Sequence, residues 1–87
     1  MLLISNGRML DPASGVDAFR DILLDGDRVA AIAPQGQLTE RSKGAERFDA
    51  RNLIVAPGFI DLHCHLREPG GESSETIETG TRAAAAG

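Results

Sequence analysis

From Ile60 to Arg67 apolar and ionisable side chains alternate without a break, with Ile60, Leu62, Cys64 and Leu66 in one set and Asp61, His63, His65 and Arg67 in the other. On a β-strand successive side chains point to opposite faces, so this pattern gathers the ionisable groups on one face. With a loop and a helical pattern after it, such a strand describes a βα unit that turns polar groups toward a barrel interior or cleft. Burying those groups is costly without partners, and for two imidazoles a cation is the obvious one. His63 and His65, at i and i+2, can present nitrogen to one metal ion, and Asp61 can orient a histidine through its second ring nitrogen. A catalytic zinc needs further protein ligands and a water, so the rest of the site must come from outside these residues. A lone His-x-His is more often a pair of exposed or satisfied histidines than a metal site. Asp61 on the same face, Pro57-Gly58 before it and Arg67-Glu68-Pro69-Gly70 after it shift the balance toward metal.

The residues upstream read as short strands. Leu2–Ile4 ends at Asn6-Gly7, a pair that favours a tight hairpin turn, with Arg8–Leu10 returning as partner. A second hairpin is expected from Asp21–Leu24 to Arg28–Ala33 around Asp25-Gly26-Asp27. Pro34–Gly44 is polar and aperiodic, hence a loop with room for one helical turn. Glu46–Asp49 and Asn52–Val55 follow as further strands, and Ala56-Pro57-Gly58 punctuates. The expected organisation is therefore a β-rich module, residues 1–56, forming part of a small β-sandwich domain. Residues 57–87 are expected to be one βα unit, its strand facing a barrel interior or cleft. A helix over Glu75–Ala86 is expected from the alanine tract Ala83–Ala86, with Ser73 or Ser74 as cap and Glu75 and Glu78 at its positive end. Ile77, Thr81 and Ala84 would form its packing face.

Bulk properties narrow the function classes. A net charge of -4 without clustered Lys or Arg argues against nucleic-acid and membrane-surface partners. One cysteine forms no internal disulfide, and the N-terminus shows no signal peptide or spanning run, so a soluble cytoplasmic protein is expected. Three phenylalanines and no tryptophan or tyrosine leave Leu, Ile, Val and Ala to build a thin core.

Pro57-Gly58-Phe59-Ile60-Asp61-Leu62-His63-Cys64-His65 resembles the first-strand signature of the amidohydrolase superfamily, and Leu66-Arg67-Glu68-Pro69-Gly70 is similar to dihydroorotase in particular. Glu75–Gly87 resembles that family's first barrel helix. The resemblance implies a zinc enzyme, with one or two ions, that reversibly interconverts dihydroorotate and N-carbamoyl-aspartate in pyrimidine biosynthesis. His63 and His65 would be metal ligands and Arg67 would pair with the substrate carboxylate, a task suited to the guanidinium fork. Cys64 would be a small buried residue against the helix layer, and Glu68 a loop brace. Partners would be the small-molecule substrate and a second copy or another pyrimidine enzyme. The resemblance implies that residues 57–87 are the first strand and helix of a TIM-type (β/α)8 barrel, which takes about 250 residues, so the 87 residues read as a fragment of a larger α/β enzyme, inactive alone. Allantoinase- or hydantoinase-type chemistry and a non-catalytic partner subunit are the competing readings, and Arg67 separates the first of these from dihydroorotase.

Overall fold

A computed structural model describes residues 1–87. Five strands and one helix follow in chain order: β1 Leu2–Asp11, β2 Val16–Asp25, β3 Arg28–Pro34, β4 Glu46–Asp49, β5 Ile54–Val55 and α1 Ile77–Ala86. The strands form one sheet in the order β3-β2-β1-β4, with β5 also paired to β1. β1, β2 and β3 run antiparallel, whereas β4 and β5 lie parallel to β1, β4 beside Leu2–Ser5 and β5 beside Arg8-Met9. The hairpin expected around Gly26 is present, with Asp25 opposite Arg28 and Gly26 at φ 58°.

Asn6-Gly7 is not a hairpin turn. β1 runs straight through it, and Ser5 and Asn6 together oppose the single residue Asp21, which makes a β-bulge. Asn6 takes φ 65°, a conformation that asparagine tolerates in bulges as in turns. Its backbone N–H donates to Asp21 Oδ1 at 3.1 Å and its side-chain amide donates to Asp49 Oδ1 at 3.0 Å. Gly7 has no room for a side chain, since a Cβ there would lie 2.6 Å from Val55 Cγ2. The bulge thus separates the stretch of β1 that pairs β4 from the stretch that pairs β5.

Leu3 and Leu23 stand opposite one another on one sheet face, and the 35–45 loop lays Leu38 over them. Ala31, Ala33 and Ala45 pack around this cluster. The loop contains the helical turn allowed by its sequence, closed by Ser42 N–H donating to the Leu38 carbonyl at 2.9 Å. Asp21, buried beneath it, also accepts from Gly36 N–H at 2.9 Å, so one carboxylate ties the bulge to the loop. On the opposite face Phe48, Ile4, Ile22 and Ile32 form a row across all four long-path strands. Phe48 and Ile32 are about half exposed there, and that face has no second layer over it.

Residues 57–67 form no strand, contrary to the expected first barrel strand. A strand needs a neighbour to satisfy its backbone groups, and every strand of the sheet ends before this segment. Phe59, Ile60 and Leu62 are almost fully exposed. α1 packs against none of the strands. The radius of gyration is 16.8 Å, against about 12 Å for a compact chain of this length, because this segment and α1 stand off the sheet. No helix is long and apolar enough to cross a membrane.

Two surface carboxylates give the fold an acid limit. Hydrogen bonds from Arg8 hold Asp17 below the usual aspartate range, and the Asn6 amide with the Arg51 N–H does the same for Asp49. A folded value below the unfolded one contributes stability above the unfolded pKa of about 3.9, lost as pH falls through the folded value. The melting temperature should therefore be level near neutrality and fall once the pH drops below about 4. Asp49→Asn, which keeps an acceptor but does not titrate, should flatten part of that fall. An acid-independent melting temperature would contradict this account.

Candidate functional site

The ionisable set of residues 61–67 sits between the sheet and α1. His63 and His65 come together, with Nε2 atoms 3.1 Å apart and ring planes at 67°. Two nitrogen ligands on one tetrahedral zinc, at ordinary Zn–N lengths, lie about 3.3 Å apart. The pair therefore fits two positions of such a site in both spacing and donor type. No third His, Cys, Asp or Glu joins them.

Asp61 is placed differently from expectation. Its Oδ1 accepts the backbone N–H of His63 at 3.0 Å, a local Asx turn, and does not meet a ring nitrogen. Short side chains such as aspartate bond their own backbone two residues on whenever a strand ladder does not claim that amide. Cys64, expected to be buried, is exposed, because no element covers the apolar side of the segment.

Arg67 closes the segment before a turn at Glu68–Gly70. It has φ 66°, unusual for a residue with a long side chain, and its guanidinium has no acidic partner. His65, Arg67 and Glu68 border one shallow, polar concavity of about 470 Å³. A larger one, of about 600 Å³, lies on the sheet between Arg8, Phe19 and Arg51–Ile54, and contains no histidine or carboxylate.

The loop beyond Arg67 is built from backbone bonds that the sequence pattern did not reveal. Gly71 N–H donates to the Arg67 carbonyl at 2.7 Å, and Glu75 N–H donates to the Gly71 carbonyl at 3.1 Å. Glu72 accepts Gly70 N–H on both carboxylate oxygens, at 3.0 and 3.1 Å. Its own backbone N–H, and then that of Gly70, hold the Glu72 carboxyl below the usual range. α1 starts later than expected, with Thr76 as cap in place of Ser73 or Ser74. Thr76 and Thr79 make a reciprocal capping box, and Glu78 pairs with Arg82 one turn on, at 2.6 Å. Glu68 reaches this helix start, Oε2 accepting the N–H of Ile77 at 2.8 Å. The Thr-x-x-Thr spacing was a visible signal for the cap. The sequence marked Glu68 as a loop brace but not its partner nine positions on.

Comparison with known proteins bears on the same segment. Residues 52–87 match the family model described as Dihydro-orotase-like. Over 86 residues, 99% of this chain, the sequence is 55% identical to the dihydroorotase of Solibacter usitatus (strain Ellin6076), covering 19% of that protein. The chain corresponds to the N-terminal portion of dihydroorotases. It is 52% identical over its whole length to the dihydroorotase of Anaeromyxobacter sp. (strain K), covering 19% of it. For the dihydroorotase of Streptococcus pneumoniae serotype 4 (strain ATCC BAA-334 / TIGR4) the figures are 51% identity and 20% coverage. The chain thus spans about a fifth of the length of the dihydroorotases it matches.

Proposed function

We propose that this chain supplies the opening portion of a zinc-dependent dihydroorotase, which reversibly hydrolyses the cyclic amide of dihydroorotate to N-carbamoyl-aspartate in pyrimidine biosynthesis. The observation that carries the proposal is the His63–His65 pair, with Nε2 atoms 3.1 Å apart inside the segment that matches the family. In this reading His63 and His65 hold a zinc ion, with further ligands supplied from the rest of the full-length protein. A bound ion supplies Lewis acidity toward the amide carbonyl and acidifies a water. Asp61 fixes the His63 backbone and, once residues 59–67 are paired as a barrel strand, orients a histidine ring. Arg67 binds the substrate carboxylate. Its unpaired guanidinium beside His65 suits that role, because a planar carboxylate can take two parallel N–H bonds from one fork. The open sheet face of Ile4, Ile22, Ile32 and Phe48 is the surface that a second layer of a β-sandwich would cover. The enzyme would act in the cytoplasm, as a homo-oligomer or beside another pyrimidine enzyme.

The test is turnover of dihydroorotate, with metal content, by full-length dihydroorotase carrying this segment. Arg67→Met should lower kcat/KM for dihydroorotate about a hundredfold or more, the effect of removing one partner from a desolvated charge pair. An uncharged cyclic amide such as a hydantoin should lose little. Equal losses on charged and uncharged rings would replace dihydroorotase with a hydantoinase-type assignment.

A further inference from the structure

We propose that Glu68 is a positioning residue: its carboxylate, bonded to the Ile77 amide, holds Arg67 against the first turn of α1 in the geometry that receives the substrate carboxylate. This rests on the reading of Arg67 as the substrate clamp.

The helix does not need Glu68 for its own closure. Thr76 and Thr79 already satisfy each other's amides through the capping box. The Ile77 N–H, at the first helical position, is one of the donors that a helix leaves without an internal partner. Glu68 takes it at 2.8 Å, with the positive helix end favouring its charge. What this bond adds is a tie between the residue next to Arg67 and a rigid element.

Arg67 is held from the other directions too. Its carbonyl accepts Gly71 N–H at 2.7 Å. On the other side Leu66 lies against Gly80 of α1, so closely that a Cβ at position 80 would come 2.9 Å from Leu66 Cδ2. A non-glycine residue at φ 66° persists only where its surroundings over-determine it, and these contacts are such surroundings. The guanidinium itself is bound by none of them. The backbone of Arg67 is thus fixed while its charged end stays available. Engaging the Glu68 carboxylate on the helix also keeps that anion from neutralising the adjacent Arg67.

Kinetics of full-length dihydroorotase carrying this segment test the assignment. If the unsubstituted protein does not turn over dihydroorotate, the function proposed above fails, and with it the role of Arg67 on which Glu68 depends. If it is active, Glu68→Ala should raise KM for dihydroorotate about 10- to 100-fold, the worth of a hydrogen bond to a charged group, and leave kcat within about threefold. Glu68→Gln retains an acceptor for Ile77 N–H and should recover most of the loss. In an Arg67→Met background Glu68→Ala should add nothing, since residues acting through one another are not additive. Ile77→Pro removes the donor instead, at a helix position where proline is favoured and after a Thr76 already extended at φ -109°, ψ 167°. It should reproduce the KM effect and provides the reading if Glu68→Ala fails to fold. An unchanged KM in Glu68→Ala or Ile77→Pro, failure of Glu68→Gln to rescue, or a full additional loss on top of Arg67→Met would overturn the proposal.

Discussion

Leu23→Ala should abolish cooperative folding of the 87-residue chain. Leu23 is 1% exposed and sits at the centre of the only cluster of buried leucines, facing Leu3 across β1 and β2 with Leu38 laid over both. Removing a buried leucine side chain down to alanine costs about 2–5 kcal/mol, depending on how far the site can collapse. The neighbours here are themselves pinned: Leu3 in the centre of the sheet, Leu38 in a loop tied down by Asp21. Collapse is therefore limited and the loss belongs in the upper half of that range. A single core in so small a domain rarely supplies more than about 3–5 kcal/mol in total, and only ten residues are buried here. Circular dichroism should show the loss of a sigmoidal thermal transition. Leu23→Met, which nearly conserves volume, should retain it, at a cost below about 1.5 kcal/mol. A cooperative melt in Leu23→Ala within a few degrees of the parent would show that the stability resides elsewhere.

What the sequence disclosed depended on whether the signal was local. The hairpin at Gly26 was legible because turn chemistry and flanking apolar runs lie within a dozen positions of each other. Asn6-Gly7 is ambiguous for a related reason: a hairpin turn and a bulge both accommodate positive φ, and the pair itself does not say which. The deciding contacts come from Asp21, Asp49 and Val55, all distant in sequence. The parallel pairing of β4 and β5 with β1 was equally invisible, because nothing local in a short strand records its neighbour. The alternation over residues 60–67 put His63 and His65 in one set, and their Nε2 atoms lie 3.1 Å apart. It did not produce a strand, since a ladder needs a partner that these residues do not contain. Asp61 and Cys64 depart from expectation for the same cause. Without a ladder the Asp61 carboxylate finds the His63 amide, and without a covering layer Cys64 stays at the surface. Glu68 and Thr76 show a further limit. Capping and bracing contacts are set by how a loop closes, and several polar residues at neighbouring positions could have made them.

The largest effect on function is expected from removing both imidazoles. If the full-length protein carrying this segment has the proposed activity, His63→Ala with His65→Ala should leave it folded but without metal at the site and without measurable turnover of dihydroorotate. The folding part follows from the core: both rings are exposed in this segment and lie outside its leucine cluster, so their loss opens no cavity in it. The metal part follows from the donor set. Replacing groups that merely orient a ligand costs about 10–100-fold in affinity, and these two nitrogens would be ligands themselves, so each deletion should cost at least that and the pair correspondingly more. The activity part follows from what a metal contributes to amide hydrolysis, several kcal/mol of charge stabilisation, so that a fall of at least about a thousandfold, or about 4 kcal/mol, is expected. Metal content by elemental analysis and an unchanged circular dichroism spectrum separate loss of the ion from loss of the fold. Each single substitution should weaken metal binding less than the double one, because one nitrogen of the 3.1 Å pair remains. Stoichiometric metal and full turnover in the double variant would remove the His63–His65 pair from the site and leave the proposed function without the observation that carries it.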